Sequence, residues 1–162
     1  MANADRPAGF RPYGEILQTF VAQAGSTIYP GDFVKLASDG QVDSVAAGAD
    51  IYGLALQYAT VGQDILLSVD PNQLYIGQAD ETELDAQTDI GNLCDVVATA
   101  GNSTYNTSRQ EVDSSTVGTG SGGQLVIMAL YKEVGNALGG FVDVIVKVNE
   151  NQAFGETDHA GI

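Results

Sequence analysis

Residues 141–148 read Phe141-Val142-Asp143-Val144-Ile145-Val146-Lys147-Val148. Side chains alternate sides along a strand, so Phe141, Asp143, Ile145 and Lys147 share one face and Val142, Val144, Val146 and Val148 the other. The valine face must lie on a core, because slipping the register by one residue would bury Asp143 and Lys147 instead. The same period recurs where Phe33, Lys35 and Ala37 alternate with Val34, Leu36 and Ser38, between the turn pairs Pro30-Gly31 and Asp39-Gly40. Runs of strand composition occur again at 51–58, 65–69, 74–79, 93–98 and 125–131. With 20 glycines punctuating these short strands, the predicted class is all-β, a compact barrel- or sandwich-like domain.

The chain has 162 residues, 44% of them hydrophobic, enough for one core and too few for two comfortable domains. Six Lys and Arg against 21 Asp and Glu give a formal charge of −15, which opposes any contact with nucleic-acid phosphate. Hydrophobicity is ordinary, so the charge sits on a fold and does not mark a disordered chain. The longest apolar run, 125–131, is far short of the roughly 20 residues that span a bilayer, and the first residues lack an apolar signal core. A soluble protein without a membrane partner is expected. The single cysteine, Cys94, reads as a small buried hydrophobe in the strand Leu93-Cys94-Asp95-Val96-Val97.

Two segments depart from the strand pattern. Thr82-Glu83-Leu84-Asp85 has the form of a capping box and Gly91 can terminate a helix begun there, which predicts a short helix over 83–90. From 99 to 123 the chain turns polar, as expected of a long surface excursion between two core strands.

Residues 1–15 differ from both. They hold two of the four prolines, Pro7 and Pro12, and their two arginines balance Asp5 and Glu15, leaving the whole −15 on residues 16–162. This stretch is predicted to be an extended arm that grips a neighbouring protein surface through Arg6, Pro7, Phe10, Arg11, Pro12 and Tyr13. The expected organisation is thus an arm at 1–15, one β-rich domain at 16–150 and a polar tail at 151–162.

A catalytic set does not emerge. His159, the one histidine, lies in the polar tail, where a triad would lack a fixed base. Gly118, Gly120, Gly122 and Gly123 lead into a strand and no Gly-Lys-Ser/Thr comes after them, so a phosphate loop is not formed. The acids Asp80, Glu81, Glu83, Asp85, Asp89 and Asp95 fail the calcium-loop spacing, because Thr82 and Leu84 stand at the third and fifth positions; they read as a solvated helix face, with calcium as the alternative. Asn102-Ser103-Thr104 and Asn106-Thr107-Ser108 match glycosylation sequons but read as polar loop. No enzyme, no metal and no cofactor is predicted.

Three stretches together resemble the head decoration, or capsid cement, proteins of tailed bacteriophages. They are the opening Met1-Ala-Asn-Ala-Asp-Arg-Pro-Ala-Gly-Phe-Arg-Pro-Tyr-Gly14; Ile28-Tyr-Pro-Gly-Asp-Phe-Val-Lys-Leu-Ala-Ser-Asp-Gly40 with Ile51-Tyr-Gly-Leu-Ala-Leu56 behind it; and Val69-Asp-Pro-Asn-Gln-Leu-Tyr-Ile-Gly-Gln-Ala-Asp80 followed by Thr88-Asp-Ile-Gly91. The likeness covers residues 1 to about 95 and is vaguer beyond the polar loop. It implies a β-tulip-type domain with one short helix and an extended N-terminal arm. It also implies a virion protein, made in the host cytoplasm and seated on the outside of the expanded capsid. There it would bind the major capsid protein, commonly as a homotrimer at three-fold and quasi-three-fold positions, and hold the shell against the pressure of packaged DNA. Two rival readings remain. One is a virion-surface β-domain that binds host surface or carbohydrate through 99–123, where only Tyr105 offers a stacking ring; the other is a hydrolase using a carboxylate pair.

Overall fold

A computed structural model describes residues 3–80, 84, 87–118 and 123–152. Among them the chain forms strands β1 (Arg11–Tyr13), β2 (Thr19–Gln23), β3 (Phe33–Leu36), β4 (Val42–Ser44), β5 (Gly53–Ala55), β6 (Asp64–Ser68), β7 (Leu74–Gln78), β8 (Leu93–Val97), β9 (Glu111–Asp113), β10 (Leu125–Leu130) and β11 (Asp143–Val148). One sheet runs β1-β7-β11-β10-β8-β9 and the other β2-β6-β5-β3-β4, with every paired strand antiparallel. The fold is therefore all-β and sandwich-like, as the alternation predicts.

Both sheets curl until distant strands meet. Ala24, just past β2, makes a parallel bridge to Val42 of β4, and the Gly25 N–H donates to the Val42 carbonyl at 2.8 Å. In the other sheet Ala79, just past β7, bridges Val112 of β9, and the Asp80 N–H donates to the Val112 carbonyl at 3.0 Å. Each closure is a single bridge, so β1 and β2 remain edge strands of their sheets.

Two apolar cores result. The larger lies between the sheets and takes Val142, Val144, Val146 and Val148 from β11 and its approach, with Cys94, Val96, Leu125 and Ile127 from neighbouring strands. The valine face is buried, and Asp143 and Lys147 are left on the opposite face, half-buried. Each fully buried valine contributes about 1.5–3 kcal/mol. The smaller core fills the curled five-stranded sheet with Ile28, Val34, Val42, Ala55, Ile65 and Leu67. Strand β3 thus serves both cores, Phe33 on one side and Val34 on the other. Strand β10 carries a bulge between Ile127 and Ala129: Met128 stays outward as alternation places it, and beyond the bulge Leu130 packs against the larger core. Burial pushes the Cys94 thiol up to about 12, with Asp95 and Asp113 adding to the effect, so this group is an inert core residue.

Four expectations are corrected. The N-terminal segment is not a free arm. Phe10 is only 2% exposed and packs on Phe33 at 4.5 Å between ring centres, and Phe33 in turn meets Tyr75 edge-on at 5.2 Å. The Phe10 N–H donates to the Gly31 carbonyl at 2.9 Å, and β1 pairs with β7 from Arg11↔Ile76 to Tyr13↔Leu74. Gly77 makes room for this ring, since a Cβ there would fall inside it. The sequence reads as an arm because Pro7 and Pro12 suggest extended chain, yet extended chain with Pro at an edge is also what β1 needs.

The polar excursion is half interior. Ser108, Gln110, Val112 and Ser114 alternate inward, and β9 belongs to the six-stranded sheet. These polar side chains tolerate burial because they are hydrogen-bonded: Gln110 accepts the Phe33 N–H at 2.7 Å and donates to the Phe33 carbonyl at 3.3 Å.

The helix over 83–90 reduces, among the described residues, to one 3-10 turn at Gln87–Asp89, and Leu84 is buried in an antiparallel bridge to Gly139. Thr82, Glu83 and Asp85 lie outside the described residues. The tail splits likewise: Asn151 bridges Ile51 and Gln152 bonds both backbone groups of Leu36, whereas His159 falls outside the described residues.

Because Phe10 is a core residue, Phe10→Ala is expected to cost about 3–5 kcal/mol in denaturant unfolding. A loss below about 1 kcal/mol would mean that the segment detaches freely, because surface substitutions fall in that range.

Candidate functional site

The segment before β1 lies beside the 131–141 turn and frames a polar cleft of about 300 Å³. Asn3 ties down its start, donating to the carbonyls of Ala137 and Gly140 at 2.8 and 3.0 Å while its Oδ1 accepts the Ala137 N–H at 3.1 Å. Gln78, at the end of β7 and 8% exposed, holds the middle: Oε1 accepts the Arg6 N–H at 2.8 Å, and Nε2 donates to the Ala4 and Phe141 carbonyls at 2.9 and 3.1 Å. Asn136 fixes the far wall by donating to the Tyr131 and Asp143 carbonyls at 2.6 and 2.8 Å and accepting the Asp143 N–H at 2.9 Å. Phe141 enters this wall with φ +58°, a left-handed conformation rare for an aromatic residue and held here by the surrounding bonds.

Arg6 and Arg11 line the cleft together with Glu133 and Asp143. Arg11 also lies over the Tyr131 ring, 5.5 Å from its centre, and Tyr13 meets the same ring edge-on at 6.3 Å. The structure thus brings Arg6, Arg11 and Tyr13 to one side of the molecule, with Pro7 and Pro12 half-buried along the way. It removes Phe10 from that set, because a ring inside its own core is not offered to a neighbour. Sequence reasoning missed Gln78, Glu133, Asn136 and Asp143, which come from distant positions and meet only through the β7–β11 ladder, where Gln78 pairs with Asp143.

Burial holds the Asp143 carboxyl above its ordinary value of 3.8; Arg11 pulls it down, Glu133 pushes it up, and Arg6 pulls it down more weakly. Since folding raises this pKa, the associated stabilisation is complete below the ordinary carboxylate range and is lost as the pH climbs through the raised value. The cleft is a recess of mixed charge, lined by two guanidiniums and two carboxylates. Its described side chains include no histidine, cysteine or serine to act as nucleophile or base.

The remaining sequence candidates have other positions. Asp80 accepts the Ser114 hydroxyl and N–H, and Asp95 accepts the Gln124 N–H at 3.2 Å, so both serve as structural acceptors. Glu81, Glu83 and Asp85 lie outside the described residues. Among the described residues no three His, Cys, Asp or Glu side chains gather as a metal site. Tyr105 stands 75% exposed at the tip of a turn closed by the Asn102↔Thr107 bridge. Compared with known proteins, the chain matches no family model and no curated sequence.

The charges around Asp143 make a direct test. Arg11→Met is expected to raise the Asp143 carboxyl pKa further, Arg6→Met to raise it less, and Glu133→Gln to lower it, as read by carboxyl-carbon NMR titration. An unmoved Asp143 in Arg11→Met would show that the guanidinium does not face this cleft.

Proposed function

We propose that this protein is a capsid decoration protein: a structural, non-enzymatic protein of the virion that binds the outer surface of an expanded phage head and stabilises it. The resemblance of residues 1 to about 95 to the cement proteins supplies the reading, and one observation supports it physically. Residues 1–15 include the first of the resembling stretches and are fixed to the body at Arg6 and β1, presenting Arg6 and Arg11, while residues 16–162 hold the entire −15. Two arginines at a recess of mixed charge, on an acidic body, set the orientation in which the protein meets another surface.

The partner is then the major capsid protein, through carboxylates that pair with Arg6 and Arg11 and an aromatic contact to Tyr13. Self-association, as a trimer at three-fold and quasi-three-fold positions, falls to a different surface. Residues 16–31 contain no charged residue, and Ile16, Leu17 and Val21 there are 45%, 54% and 67% exposed. On bodies that repel one another, a charge-free apolar edge is the place where copies can meet. Many such sites acting together resist opening of the shell, because binding to the assembled lattice stabilises it by mass action.

Co-sedimentation with undecorated expanded heads tests the reading. The protein is expected to bind, to saturate in multiples of three, and to raise the temperature at which heads release DNA. The double variant Arg6→Gln, Arg11→Gln, its fold verified by its strand circular dichroism, should lose binding by at least about tenfold, the scale of one lost charge-assisted contact. Absence of binding by the unaltered protein, or full binding by the double variant, would contradict the proposal.

A further inference from the structure

The strands at the ends of the two sheets are protected to different degrees. β1 has Pro12 at its centre, which offers no N–H, and Arg11 beside it. β9 carries Glu111 and Asp113 and is bridged by Ala79; β4 carries Asp43 and is bridged by Ala24. Proline, charge and cover are the means by which sheets keep their ends from pairing with other chains. β2, Thr19-Phe20-Val21-Ala22-Gln23, has neither proline nor charge, and among the described residues its outer side is covered only past its end, where Ala24 meets Val42.

The register fixes which backbone groups of β2 stand open. At one end of the β2–β6 ladder the Ala24 N–H donates to the Gln63 carbonyl at 2.8 Å, and at the other the Val69 N–H donates to the Gln18 carbonyl at 3.1 Å; between them Phe20 faces Leu67 and Ala22 faces Ile65. The even residues therefore turn their backbone groups to β6, and alternation turns the N–H and carbonyl of Thr19 and Val21, and the N–H of Gln23, the other way. The Leu17 N–H is taken by Gln73 at 2.9 Å, which leaves the Leu17 carbonyl as the next acceptor along this side. Val21, in the middle, is 67% exposed.

Residues 16–31 offer no charge for a charged strand to pair with, so the strand that fits here is itself uncharged, extended and open along one side. β2 of a second copy meets each condition. We propose that β2 pairs antiparallel with β2 of a second copy, edge to edge, about a two-fold axis at Phe20. Thr19 and Val21 of one copy then face Val21 and Thr19 of the other as hydrogen-bonded pairs, and the Gln23 N–H of each donates to the Leu17 carbonyl of the other. An axis at Val21 would set the Leu17 carbonyl against the Gly25 N–H, already given to Val42, and an axis at Thr19 would set the Val21 carbonyl against the Leu17 N–H, already given to Gln73. The axis at Phe20 also sets the two Phe20 side chains opposite each other, a favourable aromatic pair across a ladder. The pairing rests on the reading that copies meet along 16–31 and gives that contact its geometry. It closes with two copies, so it adds to a three-fold contact and links one cluster to the next. Its span is short, which makes it weak between dilute copies and effective between copies held side by side.

Engineered thiols read the axis, because Cys94 is buried and inert. Phe20→Cys sets two thiols on a non-hydrogen-bonded pair, whose Cα atoms lie about 4.5 Å apart, within the roughly 4.4–6.8 Å that a disulfide spans. On mild oxidation of the concentrated protein without heads, Phe20→Cys is expected to form dimers at least about tenfold faster than Val134→Cys, which is fully exposed in a turn and reports random encounter. Added to Phe20→Cys, Val21→Pro removes an outward N–H and leaves the β6 ladder intact, and Val21→Lys sets like charges across the axis. Each is expected to slow the cross-link at least about tenfold, with the fold verified by strand circular dichroism. Should Phe20→Cys not fold, an equal mixture of Thr19→Cys and Val21→Cys reads the same register, the mixed dimer forming in preference to either homodimer. Cross-linking no faster than Val134→Cys, or no preference for the mixed dimer, gives this edge to another protein's strand or to none and overturns the proposal, as does an unchanged rate in folded Val21→Lys. The mass of the unaltered protein in solution tests the self-association reading separately: copies that associate without these cross-links keep that reading and overturn this pairing.

Discussion

Side-chain amides of glutamine hold this fold where its strand ladders give out. Gln73 accepts the Leu17 N–H at 2.9 Å and donates to the Leu74 carbonyl at 3.1 Å; Gln78 joins Arg6, Ala4 and Phe141; Gln110 takes both backbone groups of Phe33. Gln124 accepts the Val96 N–H at 2.9 Å and donates to the Ala46 and Ala49 carbonyls, and Gln152 bonds both backbone groups of Leu36. A glutamine amide carries an acceptor and donors at its end, so it can stand in for one residue of a missing strand. Each buried backbone group left without such a partner would cost about 1–3 kcal/mol. Short strands and long irregular connections can then enclose two cores in a chain of this size.

The functional surface depends on the same device. Gln78 anchors the segment that carries Arg6, and Gln73 anchors the segment that leads from β1 to β2. Between them Phe10 enters the core, so Arg6 and Arg11 are presented from a fixed base. On the proposed reading, in which the protein meets a repeating lattice, a rigid recess loses less entropy on contact than a free arm.

Seven strands were legible because they alternate strictly, as in the valines of β11, or stand between strong turn pairs, as in β3. Four were not. Strands β1 and β9 have three residues each, and their partners lie 60 or more positions away or across a polar turn, so nothing local marks them. Strand β2 shows no inward stripe because its side chains are mostly exposed, and β4 is short. The buried glutamines misled in a specific way: at 110 and 124 a polar side chain reads as loop, and only the unserved backbone opposite, at Phe33 and Val96, explains its burial. Of the site, Arg6 and Arg11 were legible from the charge balance of the first residues and Tyr13 from its aromatic ring among the prolines, whereas Gln78, Glu133 and Asp143 required the β7–β11 register.

The glutamine amides act as structural bonds, and native-state hydrogen exchange measures them one at a time. The N–H groups of Arg6, Phe33 and Val96, each donated to a glutamine side chain, should exchange as slowly as the ladder amides of β11. Exchange of these three at the rate of amides in exposed turns, with β11 still protected, would contradict that role.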